Sequence, residues 1–175
     1  INLNSVDIVV NNSGGPAGGP AHTAEADEYL SAFNQHVLSA QIINQIVLPI
    51  MKRKQFGRII NIISTSVKQP IEGLGVSNTV RGAMASWSKT LSVELGQFGI
   101  TVNNILPGAT KTDRLIQLIQ SKANKNGVSS ELVAETMRKN IPIGRFAEPN
   151  EIAYTVVFLC SGFASYINGV NIPID

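Results

Sequence analysis

The chain has 175 residues, of which 43% are hydrophobic, 15% charged and 6% aromatic, and this composition suits one compact domain rather than a disordered chain. Fourteen Lys and Arg against twelve Asp and Glu leave a net charge of +2, too small for a polyanion-binding surface, so we expect no nucleic-acid partner. No stretch approaches the roughly 18 apolar residues of a membrane span, and the first residues lack a signal-peptide pattern. We therefore predict a cytoplasmic protein with no membrane partner.

Short apolar runs alternate with longer periodic segments along the chain. Four runs predict strands, at 6–10, 58–64, 100–106 and 170–174, and the first two are expected to be buried. Apolar residues near a 3.6-residue period predict helices at about 24–54, which Pro49 should bend or interrupt, at about 80–95, and from Pro149 onward. Short helices are expected within 112–140, around Asn126-Gly127. This alternation predicts an α/β fold with a Rossmann-type, doubly wound parallel sheet.

Ligands of such sheets bind at the carboxyl ends of the strands. Three of these ends consist of small, polar or glycine-containing segments, at 11–15, 64–66 and 107–112. They predict a pocket that a flat ligand can approach closely.

Four of the segments resemble motifs of the short-chain dehydrogenase/reductase family, and most closely its members that are similar to 3-oxoacyl-acyl-carrier-protein reductases. They are Asn11-Asn12-Ser13-Gly14, Gly57 to Ser64, Val102 to Gly108, and Gly144 to Ala153. The resemblance implies that a cofactor-binding strand, a Gly-x-x-x-Gly-x-Gly turn and a helix precede this segment in the whole protein. We therefore expect 1–175 to be a single partial Rossmann-type domain, with a mobile substrate lid at about 112–140.

The resemblance also implies catalytic positions. Ser64 falls at the serine that polarises the substrate oxygen, whereas Ser77 and Arg81 stand where the family has the Tyr and Lys of Tyr-x-x-x-Lys. An alkyl hydroxyl is far less acidic than a phenol, and a guanidinium keeps its charge but cannot relay protons. Arg81 can still bond the nicotinamide ribose. His36 takes the place of an asparagine that organises water, and it either supplies a proton or packs within its helix.

For the cofactor, the resemblance implies NADP or NAD, a choice that these residues do not determine, and it implies no metal. The matching positions are Asn11, Ser13 and Gly14 on the adenosine-ribose side, Arg81 at the nicotinamide ribose, and Pro107, Gly108, Thr110 and Thr112 near the nicotinamide amide and the phosphates. The glycines and prolines among them also serve simply as turn residues.

The leading functional interpretation is an NAD(P)-dependent oxidoreductase that reduces a small-molecule carbonyl or oxidises an alcohol. The alternative is a catalytically silent relative that binds a dinucleotide or a partner protein, and a slow reductase with a different proton donor is a third reading. The resemblance further implies a homodimer or homotetramer that pairs through the helices at about 24–53 and 77–98.

Overall fold

The computed structural model describes residues 5–175, and within them the strands form one parallel sheet. The strands, hydrogen-bonded in chain order, are β1 (Ile8–Asn11), β2 (Gly57–Ile62), β3 (Ile100–Pro107) and β4 (Asn171–Ile174). Each pair is parallel. Since neighbouring parallel strands require a crossover connection, the helices lie between them along the chain. The predicted Rossmann-type α/β sheet is confirmed.

Six α-helices connect and follow these strands in the described part of the chain. They are α1 (Ala26–Phe33), α2 (Ser39–Lys54), α3 (Gly75–Leu95), α4 (Asp113–Asn126), α5 (Ser130–Lys139) and α6 (Pro149–Cys160). As predicted, α6 begins at Pro149, and Gly127 ends α4 in the left-handed conformation at φ 63°.

The helix predicted at 24–54 differs from the observed structure in two respects. A turn of π-helix, Asn34–Leu38, separates α1 from α2, and a single such turn is frequent at functional sites. Pro49 does not end α2, which continues to Lys54. The loss of one backbone hydrogen bond at Pro49 is offset because Val47 and Met51 on either side are buried against the sheet.

Helices cover the two faces of the sheet unequally. On one face, α2 and α3 pack against Ile59 and Val102. On the other face, α6 packs against Ile60 and Ile105. The helices α4 and α5 form a separate apolar cluster with Phe146. The doubly wound arrangement therefore places α1 to α3 on one side and α6 on the other.

The prediction that the first strand is buried is wrong for one of its faces. Ile8 and Val10 are 45% and 46% exposed, while Val9 contacts the apolar cluster beneath α2. The strand lies at the edge of the described sheet, and α6 packs against β2 and β3 but does not reach it. The described helices thus cover only one face of β1.

A row of asparagines crosses the sheet on the α3 face. Asn11, Asn61, Asn104 and Asn171 are direct register partners on the four strands. Asn11 Nδ2 donates to Asn61 Oδ1 at 2.8 Å, Asn61 Nδ2 to Asn104 Oδ1 at 3.0 Å, and Asn104 Nδ2 to Asn171 Oδ1 at 2.7 Å. Ser88 of α3 bonds both central amides. Buried amides are stable only when they are paired, so this row fixes the register of the strands relative to one another.

Candidate active site

The loops that follow β1 and β2 are joined directly at the carboxyl edge of the sheet. The amide of Gly19 donates to the Gly73 carbonyl at 2.7 Å, and the amide of Gly75 donates to the Gly19 carbonyl at 2.9 Å. A Cβ on Gly75 would overlap the backbone of Ala21, so the start of α3 approaches the first loop as closely as glycine allows. This contact brings the N-terminal turn of α3 into the site.

Ser64 lies two residues beyond β2, where it precedes a short 3₁₀ turn, Thr65–Val67. Its Oγ accepts a hydrogen bond from the Ser66 amide at 3.1 Å. Because the Oγ acts as an acceptor in this contact, the O–H of Ser64 stays free to donate to another group. The side chain is partly exposed, as a residue that meets a substrate must be.

Ser77 and Arg81 lie one turn apart in the first half of α3, and the structure places Arg81 directly against the end of β2. Arg81 is 8% exposed, and its Nη1 donates to the Ile62 carbonyl at 3.0 Å. Its buried Nε has no hydrogen-bond partner among the described residues. Burial, and then the positive charge of Arg114, lower the pKa of Arg81 to about 10, so it remains a cation at neutral pH.

His36 lies in the π-helical turn and is only 4% exposed. Its Nδ1 is 2.5 Å from Ser13 Oγ, whereas its Nε2 is buried and has no partner in the described part of the chain. Burial, and then the positive charge of Arg81, lower the pKa of His36 to about 4. The imidazole is therefore neutral at pH 7. Its proton-donor role stays a prediction, and the charged imidazolium required for it is disfavoured.

The side chains at two predicted adenosine-side positions are engaged within the protein. Asn11 belongs to the asparagine row, and Ser13 bonds His36. Gly14 is exposed, and a Cβ there would meet only the end of the Gln35 side chain, at 3.4 Å. Of these three residues, Gly14 leaves the most open backbone to a ligand.

The segment after β3 that is predicted to contact the cofactor, residues 107–112, forms a turn at the carboxyl edge of the sheet. It lies on the opposite side of β2 from the loop after β1. The amide of Gly108 donates to the Ile174 carbonyl at 2.9 Å, and Thr110 Oγ1 donates to the Gly108 carbonyl at 3.1 Å. Thr112 precedes α4, and its hydroxyl donates to the Thr110 carbonyl at 3.3 Å. Pro107 ends β3. These four residues therefore line the same edge as Ser64, and their contact with a cofactor stays a prediction.

Arg114 is a residue of this edge that the sequence did not single out. It lies in the first turn of α4, and its Nη2 donates to the Pro16 carbonyl at 2.6 Å. Its guanidinium lies about 3.5 Å from the point where a Cβ of Gly15 would stand. Arg114 thus links α4, within the predicted lid, to the loop after β1, and the mobility of that lid stays a prediction.

Within residues 5–175 no group of three or more His, Cys, Asp or Glu side chains is arranged to hold a metal ion. Among the same residues, no helix has the length and apolarity needed to cross a membrane.

Comparison with known proteins places the chain in a family. The family model described as Enoyl-(Acyl carrier protein) reductase matches residues 2–175. The NADPH-dependent reductase BacG of Bacillus subtilis (strain 168) is 31% identical over 170 residues, which are 97% of this chain and 66% of that relative. The chain thus spans just under two thirds of that relative's length.

Two solved structures show the same fold. The structure of YwfH, described as an NADPH dependent reductase involved in bacilysin biosynthesis, superimposes with a TM-score of 0.90 at 30% identity over 97% of this chain and 65% of that one. A short chain dehydrogenase family protein from Francisella tularensis subsp. tularensis SCHU S4 has a TM-score of 0.90 at 25% identity, over 99% and 72% of the two chains. The chain belongs to the short-chain dehydrogenase/reductase family.

Proposed function

We propose that the protein is an NAD(P)-dependent oxidoreductase that reduces a small-molecule carbonyl or oxidises the corresponding alcohol by hydride transfer. The observation that carries the proposal is that Ser64, two residues beyond β2, and the buried Arg81 cation, bonded to the carbonyl of the last residue of β2, both lie at the carboxyl end of that strand. The names of the reductases that the chain is similar to, BacG among them, support it.

A nicotinamide dinucleotide, when bound, supplies or accepts the hydride. The open backbone at Gly14 and the unpartnered Nε of Arg81 fit such a ligand, since one permits close approach and the other offers a donor to the ribose hydroxyls. Gly108, Thr110 and Thr112 would hold the nicotinamide end. Both NADP and NAD remain candidates, and the NADPH in the name of BacG supports NADP.

The remaining chemistry belongs to the chain itself. Ser64 donates a hydrogen bond to the substrate oxygen, and the positive charge of Arg81 stabilises the negative charge that this oxygen develops as hydride arrives. The proton then comes from water, and solvent takes up the hydroxide that is left, because the Ser77 hydroxyl and neutral His36 are poor acids and Arg81 is not a proton relay.

The test is to measure NADPH and NADH oxidation by the protein over a panel of ketones and aldehydes. Ser64→Ala should lower kcat about 100-fold or more, because it removes the donor to the developing oxyanion. Ser86→Ala is the matched control, since Ser86 is an exposed serine of α3. A panel without turnover, or a Ser64→Ala variant as active as the control, would refute the proposal.

The second candidate is a catalytically silent relative that binds the dinucleotide or a partner. Ser77 and Arg81 at the positions of the catalytic Tyr and Lys favour it. Cofactor binding without turnover in the native protein, together with turnover in the Ser77→Tyr/Arg81→Lys double variant, would select this candidate. Turnover by the native protein would eliminate it.

A homodimer or homotetramer is proposed to form through α2 and α3. Ile42 and Ile46, one turn apart on α2, are 57% and 51% exposed, and Val93 on α3 is 73% exposed. Apolar residues at such spacing form helix-to-helix contacts. Light scattering should report at least a dimer at micromolar concentration, and Ile46→Glu should shift it to monomer.

A cytoplasmic location, suggested by the single cysteine, is proposed as well.

A further inference from the structure

The helices α4 and α5 form a unit, residues 109–146, that has an apolar core of its own. The buried members of this core are Leu115, Ile119, Ala123, Val133 and Phe146. None of them belongs to the three clusters that join α1, α2, α3 and α6 to the sheet. The α4–α5 unit can therefore move as one body against the sheet, because its internal packing does not change when it moves.

The two ends of the α4–α5 unit are joined at one place. The segments before and after it form an isolated parallel bridge, in which the Lys111 amide donates to the Ala147 carbonyl at 2.9 Å and the Ala147 amide donates to the Ala109 carbonyl at 2.9 Å. A cleft of about 100 Å³ adjoins this base and is lined by Ile143 of the unit and by Ile174 at the end of β4. Helices that are held at one base and bordered by open space can swing about that base.

Beyond this base, the side chain of Arg114 ties the unit to the loop after β1. Its Nη2 donates to the Pro16 carbonyl at 2.6 Å, and its guanidinium lies about 3.5 Å from the point where a Cβ of Gly15 would stand. Arg114 is exposed, and it forms no ion pair with a carboxylate of residues 5–175. Because water competes for both partners, this hydrogen bond contributes little net stability, and a shift of about 1 Å between its two atoms breaks it.

The hydrogen bond between Arg114 and Pro16 joins segments that flank β2. Pro16 follows β1 and Arg114 follows β3, and β2 lies between these two strands in the sheet. Ser64 stands two residues beyond β2, at the strand end that the bond brackets. We propose that Arg114 is the latch of a lid formed by the α4–α5 unit, and that release of this latch opens a path to Ser64. The latch controls access to the site and does not depend on which reaction the site performs.

The test measures how fast a thiol placed at the site reacts. Ser64→Cys in a Cys160→Ala background leaves one thiol, and dithiodipyridine, a neutral reagent, converts this thiol to a mixed disulfide and releases one thiopyridone that is followed by absorbance. Adding Arg114→Gln should speed the reaction about three- to tenfold, which is the gain in open lid expected for the loss of one hydrogen bond. Arg53→Gln, which changes an exposed arginine at the end of α2, is the matched control and should leave the rate unchanged.

The loss of charge in Arg114→Gln acts in the opposite direction. Removing a cation can only raise the pKa of a thiol near it, which lowers the fraction of reactive thiolate and slows the reaction. A faster reaction in Arg114→Gln therefore reports better access to the site.

A distance measurement follows the lid itself and also covers the case in which Ser64→Cys does not fold. Spin labels at Asp27→Cys on α1 and Gln120→Cys on α4, in the same cysteine-free background and diluted with unlabelled chain, should give one narrow distance with the native arginine. Arg114→Gln should add a second distance from the open lid. The latch is overturned if Arg114→Gln leaves the thiol reaction rate unchanged, or if it leaves the distance distribution unchanged. Neither measurement needs turnover, so failure of the latch is distinguished from failure of the oxidoreductase proposal.

Discussion

Replacing His36 by asparagine should remove most of the acid sensitivity that the site confers on folding. The pKa of His36 is lowered to about 4 in the folded chain, from the 6.5 of a free imidazole, so the unfolded chain binds this proton more readily. Stability from the neutral histidine is therefore complete above about pH 6.5 and is lost as the pH falls toward 4. A lowering from 6.5 to about 4 corresponds to about 3 kcal/mol of unfolding free energy that is lost at low pH.

The assay is urea unfolding at pH 7, 5.5 and 4, followed by the fluorescence of Trp87, the single tryptophan. The native protein should lose about 3 kcal/mol more than His36→Asn between pH 7 and pH 4. Carboxylates titrate in both proteins, so the difference isolates the histidine. The control is His22→Asn, which changes the other histidine of the chain, an exposed one, and it should keep the acid loss of stability of the native protein. Equal acid losses in the native protein and His36→Asn would refute the buried, neutral state of His36.

Three further outcomes are expected. Asn61→Ala should destabilise the fold by about 2–4 kcal/mol in urea unfolding, because it leaves buried partners in the asparagine row unpaired. A loss of stability smaller than that caused by Thr90→Ala, on the surface of α3, would contradict this. Gly75→Ala should lower the stability by about 1–3 kcal/mol, since its Cβ meets the Ala21 backbone. Gly82→Ala, where the added Cβ meets only open space in mid-helix, should raise the stability by about 0.5–1 kcal/mol. If thermal melts gave the reverse order of the two variants, the close approach at Gly75 would be refuted. If turnover is found, kcat should stay flat from about pH 5.5 to 8.5, because the pKa of His36 is lowered to about 4 and that of Arg81 to about 10. A step in kcat near pH 6.5 would contradict the lowered pKa of His36.

The strands and most helices were predictable because their signals are local. The run Ile59-Ile60-Asn61-Ile62 is apolar enough to read as a strand covered on both faces, and Pro149 with the Glu148 and Glu151 capping pair marks the start of α6. The π-helical turn was not predictable, since Asn34–Leu38 carries the periodicity of an ordinary helix. Its extra residue per turn shows only in the backbone.

The partners of polar side chains were not predictable, because they depend on register. Nothing in the spacing of Asn11, Asn61, Asn104 and Asn171 indicates that they stand side by side, since their alignment is set by the pairing of four strands. For the same reason, the sequence predicted only a cofactor contact for Asn11 and not its place in the asparagine row. Arg114 was missed because a polar residue in an amphipathic helix normally faces water, and only the loop at Gly15 and Pro16 gives it a second contact.

His36 adds no positive charge to the site, because burial, and then the charge of Arg81, keep its imidazole neutral. A histidine beside a buried arginine is stable only if it is neutral, and a neutral imidazole has one N–H donor and one acceptor nitrogen. If Nδ1–H donates to Ser13, the lone pair of Nε2 is left inside the site, where a cation favours an acceptor. Either tautomer is neutral, so His36 lies near Arg81 without adding a second positive charge, and Arg81 remains the cation of this part of the site.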